Sequence, residues 1–154
     1  DISFTPTVGL FNNALVFRGL LNYKGGQKLY NNTGAWRNGN SNNQELNDPN
    51  ASLAGQARAV ASKFFNTNAG YIEDASFWRL REISLTYNAP QKLVSSIGFS
   101  RVSLTLSGQN LGIWTDYSGL DPEISSTGQS NFATEEFLSQ PPTRSWKVRL
   151  NLSF

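Results

Sequence analysis

The last ten residues of the chain alternate without a fault: Trp146, Val148, Leu150, Leu152 and Phe154 take one parity, and Ser145, Lys147, Arg149, Asn151 and Ser153 the other. Successive side chains of a β-strand point to opposite faces, so this pattern predicts a strand at about 143–154 with one apolar and one polar face. The same period recurs upstream. At about 2–10, Ile2, Phe4, Pro6, Val8 and Leu10 alternate with Ser3, Thr5, Thr7 and Gly9. Pro6 cannot donate to a ladder, which predicts an unpaired or bulged point there. Phe11-Asn12-Asn13 reads as a tight turn, because Asn tolerates the left-handed conformation. A return strand at about 14–24 follows through Leu15, Phe17, Gly19, Leu21 and Tyr23, with Leu20 interrupting its polar parity.

Two more strands complete the set. At about 76–88, Trp78 and Leu80 share one parity while Ile83, Leu85 and Tyr87 share the other. The slip near Arg81-Glu82 predicts a β-bulge. At about 100–110, Val102, Leu104 and Leu106 oppose Ser103, Thr105 and Ser107. Two long connections separate these strands, at about 25–75 and about 113–142. The first lacks strand periodicity and is rich in turn-forming Asn and Gly. Within it, Asp48 or Asn50 is expected to cap a short helix over residues 51–65.

Connections thus run short, long, short, long, which puts both long loops at one end of the strands. One-sided apolar strands with this asymmetry predict an all-β, antiparallel transmembrane barrel segment. Eight rises of roughly 3.3 Å from Trp146 to Phe154, tilted by about 40°, span on the order of 20 Å of an apolar band about 25 Å tall. The apolar parity of the last two strands, Val102, Leu104, Leu106, Trp146, Val148, Leu150, Leu152 and Phe154, is then expected to face lipid. Five strands cannot close such a barrel, and open edges in lipid would leave backbone groups unpaired. The chain is therefore expected to be part of a larger barrel. The alternative is a released or independent β-rich module acting in self-assembly or partner binding through its strand edges.

Composition narrows the chemistry. The 154 residues include no Cys, His or Met. Disulfides, thiolate metal sites and the commonest general base are therefore ruled out. Lack of Met leads us to expect a mature or truncated chain. Net charge is +2, from 13 basic and 11 acidic residues without runs, so no nucleic-acid partner is expected. Asp116, Asp121 and Glu123 are weak candidates for Ca²⁺, but their spacing is not that of an EF-hand loop, and turn-stabilising acids with no metal are expected. Glu135 and Glu136, adjacent on an extended segment, would face opposite ways and cannot act as a hydrolytic pair. With no nucleophile motif and no cofactor implied, the chain is not expected to be an enzyme. Tyr30, Trp36, Trp114 and Tyr117 are the loop aromatics that could stack on a substrate.

Four segments carry a family resemblance. Phe77-Trp78-Arg79-Leu80-Arg81-Glu82-Ile83-Ser84-Leu85-Thr86-Tyr87-Asn88-Ala89-Pro90 resembles the penultimate repeat region of SusC/RagA-type transporters, which are TonB-dependent outer-membrane proteins. Ser103 to Leu111, continuing into Trp114-Thr115-Asp116-Tyr117-Ser118-Gly119-Leu120-Asp121-Pro122-Glu123, is similar to that family's closing motif. The ending from Pro141 to Phe154 looks like its last strand, and Leu21 to Thr33 is also similar. A departure is Ala89, where the family more often has Leu. The resemblance implies the last five strands of a barrel of about 22 strands, in the bacterial outer membrane. It implies a plug, a SusD-like surface lipoprotein and TonB as partners, and uptake of oligosaccharide, peptide or similar nutrients. It also implies that Phe154 is read as an insertion signal by the barrel-assembly machinery.

Overall fold

The computed structural model describes residues 1–41, 47–126, 128 and 134–154. It is mostly β with few helices, and its described residues divide into two compact units. One unit comprises residues 1–24, 78–114 and 142–154; the other comprises 25–77 and 115–141. Among the described residues no helix is long and apolar enough to cross a membrane, which says nothing about strands.

The first unit is an antiparallel sheet. Its strands are β1 (Ile2–Phe4), β2 (Thr7–Leu10), β3 (Leu15–Lys24), β6 (Phe77–Asn88), β7 (Arg101–Thr115) and β9 (Ser145–Ser153). They lie in the order β1-β3-β6-β7-β9, with β2 also on β3. β1 and β2 share one register: Phe4 opposes Leu21 and Thr7 opposes Arg18, three residues on along each strand. Pro6 therefore interrupts a single strand without inserting a bulge, because only its missing N–H is lost from the ladder. Its carbonyl still accepts from the Gly19 N–H at 3.0 Å. The turn after β2 holds Phe11, Asn12 and Asn13 all at positive φ.

The phase slip of β6 has a visible origin. Arg81 donates to Asn22 Oδ1 at 2.6 Å, and its neighbour Glu82 accepts from Gln109 Nε2 at 3.2 Å. Two consecutive side chains thus serve the sheet's polar face, which a regular strand forbids and a bulge allows. Trp78 is exposed before the slip, and Leu85 and Tyr87 after it. β7 runs on to Thr115 through Asn110, which has φ 54° and donates its side-chain amide to the Thr143 carbonyl at 3.1 Å. The left-handed residue ends the alternation in sequence without ending the strand.

Short connections gather at one end of this sheet. Asn88 N–H donates to the Ala14 carbonyl at 2.8 Å, Ala89 N–H to Val102 at 3.0 Å and Ser100 N–H to Ser153 at 2.8 Å. A short helix, residues Gln91–Ser95, lies in the β6–β7 connection. At the opposite end, Tyr23 and Trp78 stack with ring centroids 4.8 Å apart, where the chain leaves β3 and re-enters β6.

The second unit holds a three-stranded sheet in the order β5-β4-β8, where β4 is Lys28–Asn31, β5 Ile72–Asp74 and β8 Glu135–Glu136. β4 pairs antiparallel with β5 and parallel with β8. Its helices are α1 (Asn32–Gly39) and α2 (Leu53–Phe65). Asn31 caps α1 by accepting from the Gly34 N–H at 2.8 Å. α2 is capped by Ser52, not by Asp48 or Asn50, with the Ser52 hydroxyl accepting from the Gly55 N–H at 3.1 Å. Residues Asn32–Gly39, whose Asn and Gly read as turn-forming in sequence, thus form a helix. A cap satisfies its first turn, and Asn38, fully buried, donates to the Ala59 carbonyl of α2 at 2.6 Å. Leu29, Ala75 and Tyr117 form the apolar centre.

Candidate functional site

The sheet unit presents two chemically opposite faces. Between β7 and β9, Val102 opposes Leu152, Leu104 opposes Leu150, Leu106 opposes Val148 and Gly108 opposes Trp146. These pairs form an unbroken apolar ladder, and Val148 is 72% exposed and Leu150 59%. Gly108 accommodates the Trp146 ring, since a Cβ there would come within 2.7 Å of it. The alternate pairs are polar: Ser103 with Asn151, Thr105 with Arg149, Ser107 with Lys147 and Gln109 with Ser145. Thr86 and Thr105 hydroxyls lie 2.9 Å apart on this polar face. The apolar face continues on the first hairpin, where Val8 opposes Phe17 and Leu10 opposes Leu15. Ile2, Phe4, Val8, Leu10 and Phe17 are all exposed. Exposed apolar side chains gathered on one face are a feature that lone soluble monomers seldom carry.

The polar face has a cavity of about 500 Å³ lined by Glu82, Thr105, Ser107, Gln109, Lys147, Val148 and Arg149. Inside it Lys147 Nζ donates to Gln109 Oε1 at 2.7 Å, and Gln109 Nε2 donates onward to Glu82. These residues come from three strands, each placed by the two-residue period.

The second unit contains a buried acidic network instead. Glu136, fully buried, accepts from Thr33 Oγ1 at 2.8 Å and from the Leu120 N–H at 3.4 Å. Thr33 Oγ1 accepts in turn from the Leu138 N–H at 2.7 Å. Glu73 accepts from Ser118 Oγ at 2.7 Å, the Ser118 N–H at 2.9 Å, Asn31 at 3.3 Å and Arg58 at 3.2 Å. Arg58 also lies 5.0 Å above the Tyr71 ring. With the donors supplied, these carboxylates hold connections together and have no free face for chemistry.

The loop aromatics have different fates. Trp36 is half exposed and meets Phe137 edge-on, with centroids 6.4 Å apart. Tyr30 is partly buried, and burial followed by the charge of Glu135 raises its pKa. Trp114 is exposed in the sheet unit. Tyr117 is only 6% exposed, packed with Leu29 and Ala75 and held close over Gly119, so it offers no ring face to a ligand. Its hydroxyl is buried with no hydrogen-bond partner among the described residues. Of the weak metal candidates, Asp121 is buried and its Oδ1 accepts from the Glu123 N–H at 2.9 Å, closing a turn. Among the described residues no group of three or more acidic, His or Cys side chains is placed to hold a metal. Sequence reading missed the Glu73–Ser118–Asn31 contacts, which join residues 42 to 87 positions apart.

No protein-family model matches the chain. It is 35% identical over 89 residues to TonB-dependent receptor P3 of Formosa agariphila, an alignment covering 54% of this chain and 9% of that relative. TonB-dependent receptor P26 of the same organism is 32% identical over 91 residues, covering 56% of this chain and 9% of the relative. The chain thus aligns to about 9% of the length of these relatives. Among solved structures, the RagAB peptide importer in its closed-closed state matches with a TM-score of 0.64 at 23% identity, over 92% of this chain and 16% of that one. The open-open state matches with a TM-score of 0.57 at 21% identity, over 92% of this chain and 16% of that one. These relatives are receptors and transporters, not enzymes. The homologues of this chain are therefore TonB-dependent receptors, and its fold is similar to that of part of the RagAB peptide importer.

Proposed function

We propose that this chain supplies the closing strands and external loops of the barrel of a TonB-dependent transporter in the bacterial outer membrane. The observation that carries this reading is the ladder from Val102–Leu152 to Gly108–Trp146, exposed on one face and polar on the other. Lipid on the first side and a hydrated lumen on the second satisfy both faces at once. Homologous TonB-dependent receptors and the fold of a peptide importer support uptake of a nutrient such as peptide or oligosaccharide. The remaining barrel would complete the sheet at its open edges and enclose a plug, a SusD-like lipoprotein would cover the mouth, and TonB would relay energy. Residues 25–75 and 113–142 would form the external part, where Tyr30, Trp36 and Trp114 are the aromatics available to a substrate.

Single cysteines at Leu150 and Arg149, placed in the intact protein in native membranes, test the reading. A polarity-sensitive probe should report hydrocarbon at position 150 and water at position 149. Water at both positions would favour a β-rich module that assembles through its strand edges.

A further inference from the structure

The charges of this chain sort by unit. The sheet unit has nine Lys and Arg side chains against two acids, Asp1 and Glu82, whereas the other unit has four against nine. On the sheet's polar face lie Arg18, opposite Thr7, Arg101, opposite Ser153, and the pair Lys147 and Arg149. The side chains of Arg18, Arg101 and Arg149 make no hydrogen bond or ion pair with any described residue. Glu82, the acid of this face, spends one oxygen on the neutral Gln109 amide, which holds Lys147 on its other side. Lys147 and Arg149 against Glu82 leave the cavity lining with a net charge of +1. A cleft whose lining carries net positive charge, within a unit of nine bases and two acids, concentrates anionic ligands.

We propose that this polar face binds acidic peptides, an inference that rests on its facing a lumen as argued above. Lys147 and Arg149 stand two residues apart on β9, so their side chains leave the sheet about 7 Å apart. An extended peptide with acidic residues two apart presents its carboxylates at that same spacing. Arg149 receives one carboxylate as a planar fork and Lys147 the next as a point charge. Thr105, Ser107 and Gln109 supply neutral hydrogen-bonding groups between them. No aromatic ring lines the cavity, so a sugar ring would have no flat partner to stack on, which favours peptide over acidic oligosaccharide.

Calorimetric titration of the intact protein in detergent tests this, with hexaglutamate, hexaglutamine and a trimer of galacturonate as probes. Hexaglutamate should bind at least about tenfold tighter than hexaglutamine at low salt, since charge-assisted contacts are worth that much. The advantage should shrink as ionic strength rises from about 0.01 to about 0.15 M and the Debye length falls from about 30 to about 8 Å. Lys147→Gln with Arg149→Gln should remove it and leave hexaglutamine unchanged, while Arg149→Lys should keep most of it. Equal binding of the two peptides, or a preference that survives the double substitution, would overturn the proposal. Tight binding of the galacturonate trimer alone would overturn the peptide assignment. The position-150 probe reports lipid contact independently, so failure here is distinguishable from failure of the membrane reading.

Discussion

Phe154 lies against Phe99, their ring centroids 4.9 Å apart and their planes tilted by 40°. The Ser100 hydroxyl donates to the Phe154 carbonyl at 3.3 Å, and the Ser100 N–H to Ser153. The last residue is thus pinned to the connection before β7 at both its ring and its backbone, although Phe154 is 91% exposed. An aromatic pair of this kind contributes about 0.5–1.5 kcal/mol beyond area burial. If Phe154 is also the insertion signal, Phe154→Ser should lower the assembled barrel far more than Phe99→Ala does. Heat-modifiable gel migration of membrane fractions measures both. Equal, small losses would assign Phe154 to packing alone.

Leu150 stands opposite Leu104 in the middle of the apolar ladder. Leu150→Arg should destabilise the membrane-inserted protein by about 2–4 kcal/mol, the cost of a cation at bilayer mid-depth on a barrel's lipid face. Asn151→Arg, on the opposite face, should cost far less. Urea unfolding from lipid vesicles compares them, and a larger loss at position 151 would reverse the two faces.

Thr33 bridges Glu136 and the Leu138 N–H through one hydroxyl. Thr33→Val leaves a buried carboxylate oxygen and a backbone donor without that partner, at about 1–3 kcal/mol for each unsatisfied group. Hydrogen exchange at the Leu120 and Leu138 amides should accelerate about tenfold or more. Thr33→Ser keeps the hydroxyl and should exchange close to the parent rate.

Tyr117 predicts a pH dependence at the alkaline end. Burial first, then the charges of Glu136 and Glu73, hold its pKa above the ordinary 10.0. The folded state therefore keeps the phenolic proton more tightly than the unfolded state. Its contribution is fully present below about pH 10 and is lost as pH rises through the folded value. Ultraviolet titration should show Tyr117 among the tyrosines that resist ionisation until the second unit unfolds. Tyr117→Phe should abolish that delayed transition and cost little stability at pH 7, because the hydroxyl has no described partner to lose.

Much of the sheet is legible from period alone. A strand with one apolar face repeats every second residue, so Trp146 to Phe154 and Val102 to Leu106 announce their faces locally. The slip at Arg81-Glu82 is legible for the same reason. β4, β5 and β8 are not, since strands of two to four residues are too short to establish a period. Helix α1 is hidden by its Asn and Gly content, which tertiary burial of Ala35 and Asn38 overrides.

What the sequence determined by itself is the alternation, the turn chemistry at Phe11-Asn12-Asn13 and the absence of His and Cys chemistry. Each of these is a property of neighbouring residues or of composition. Only the tertiary structure decided the rest. It buried Tyr117 in the apolar centre of its unit, closed Asp121 on a turn and joined Glu73 to Ser118 across 45 positions. It also sorted a nearly balanced +2 chain into a basic sheet and an acidic second unit. Charge is counted along the chain but acts through space, and the division into units puts nine of the acids in one and nine of the bases in the other.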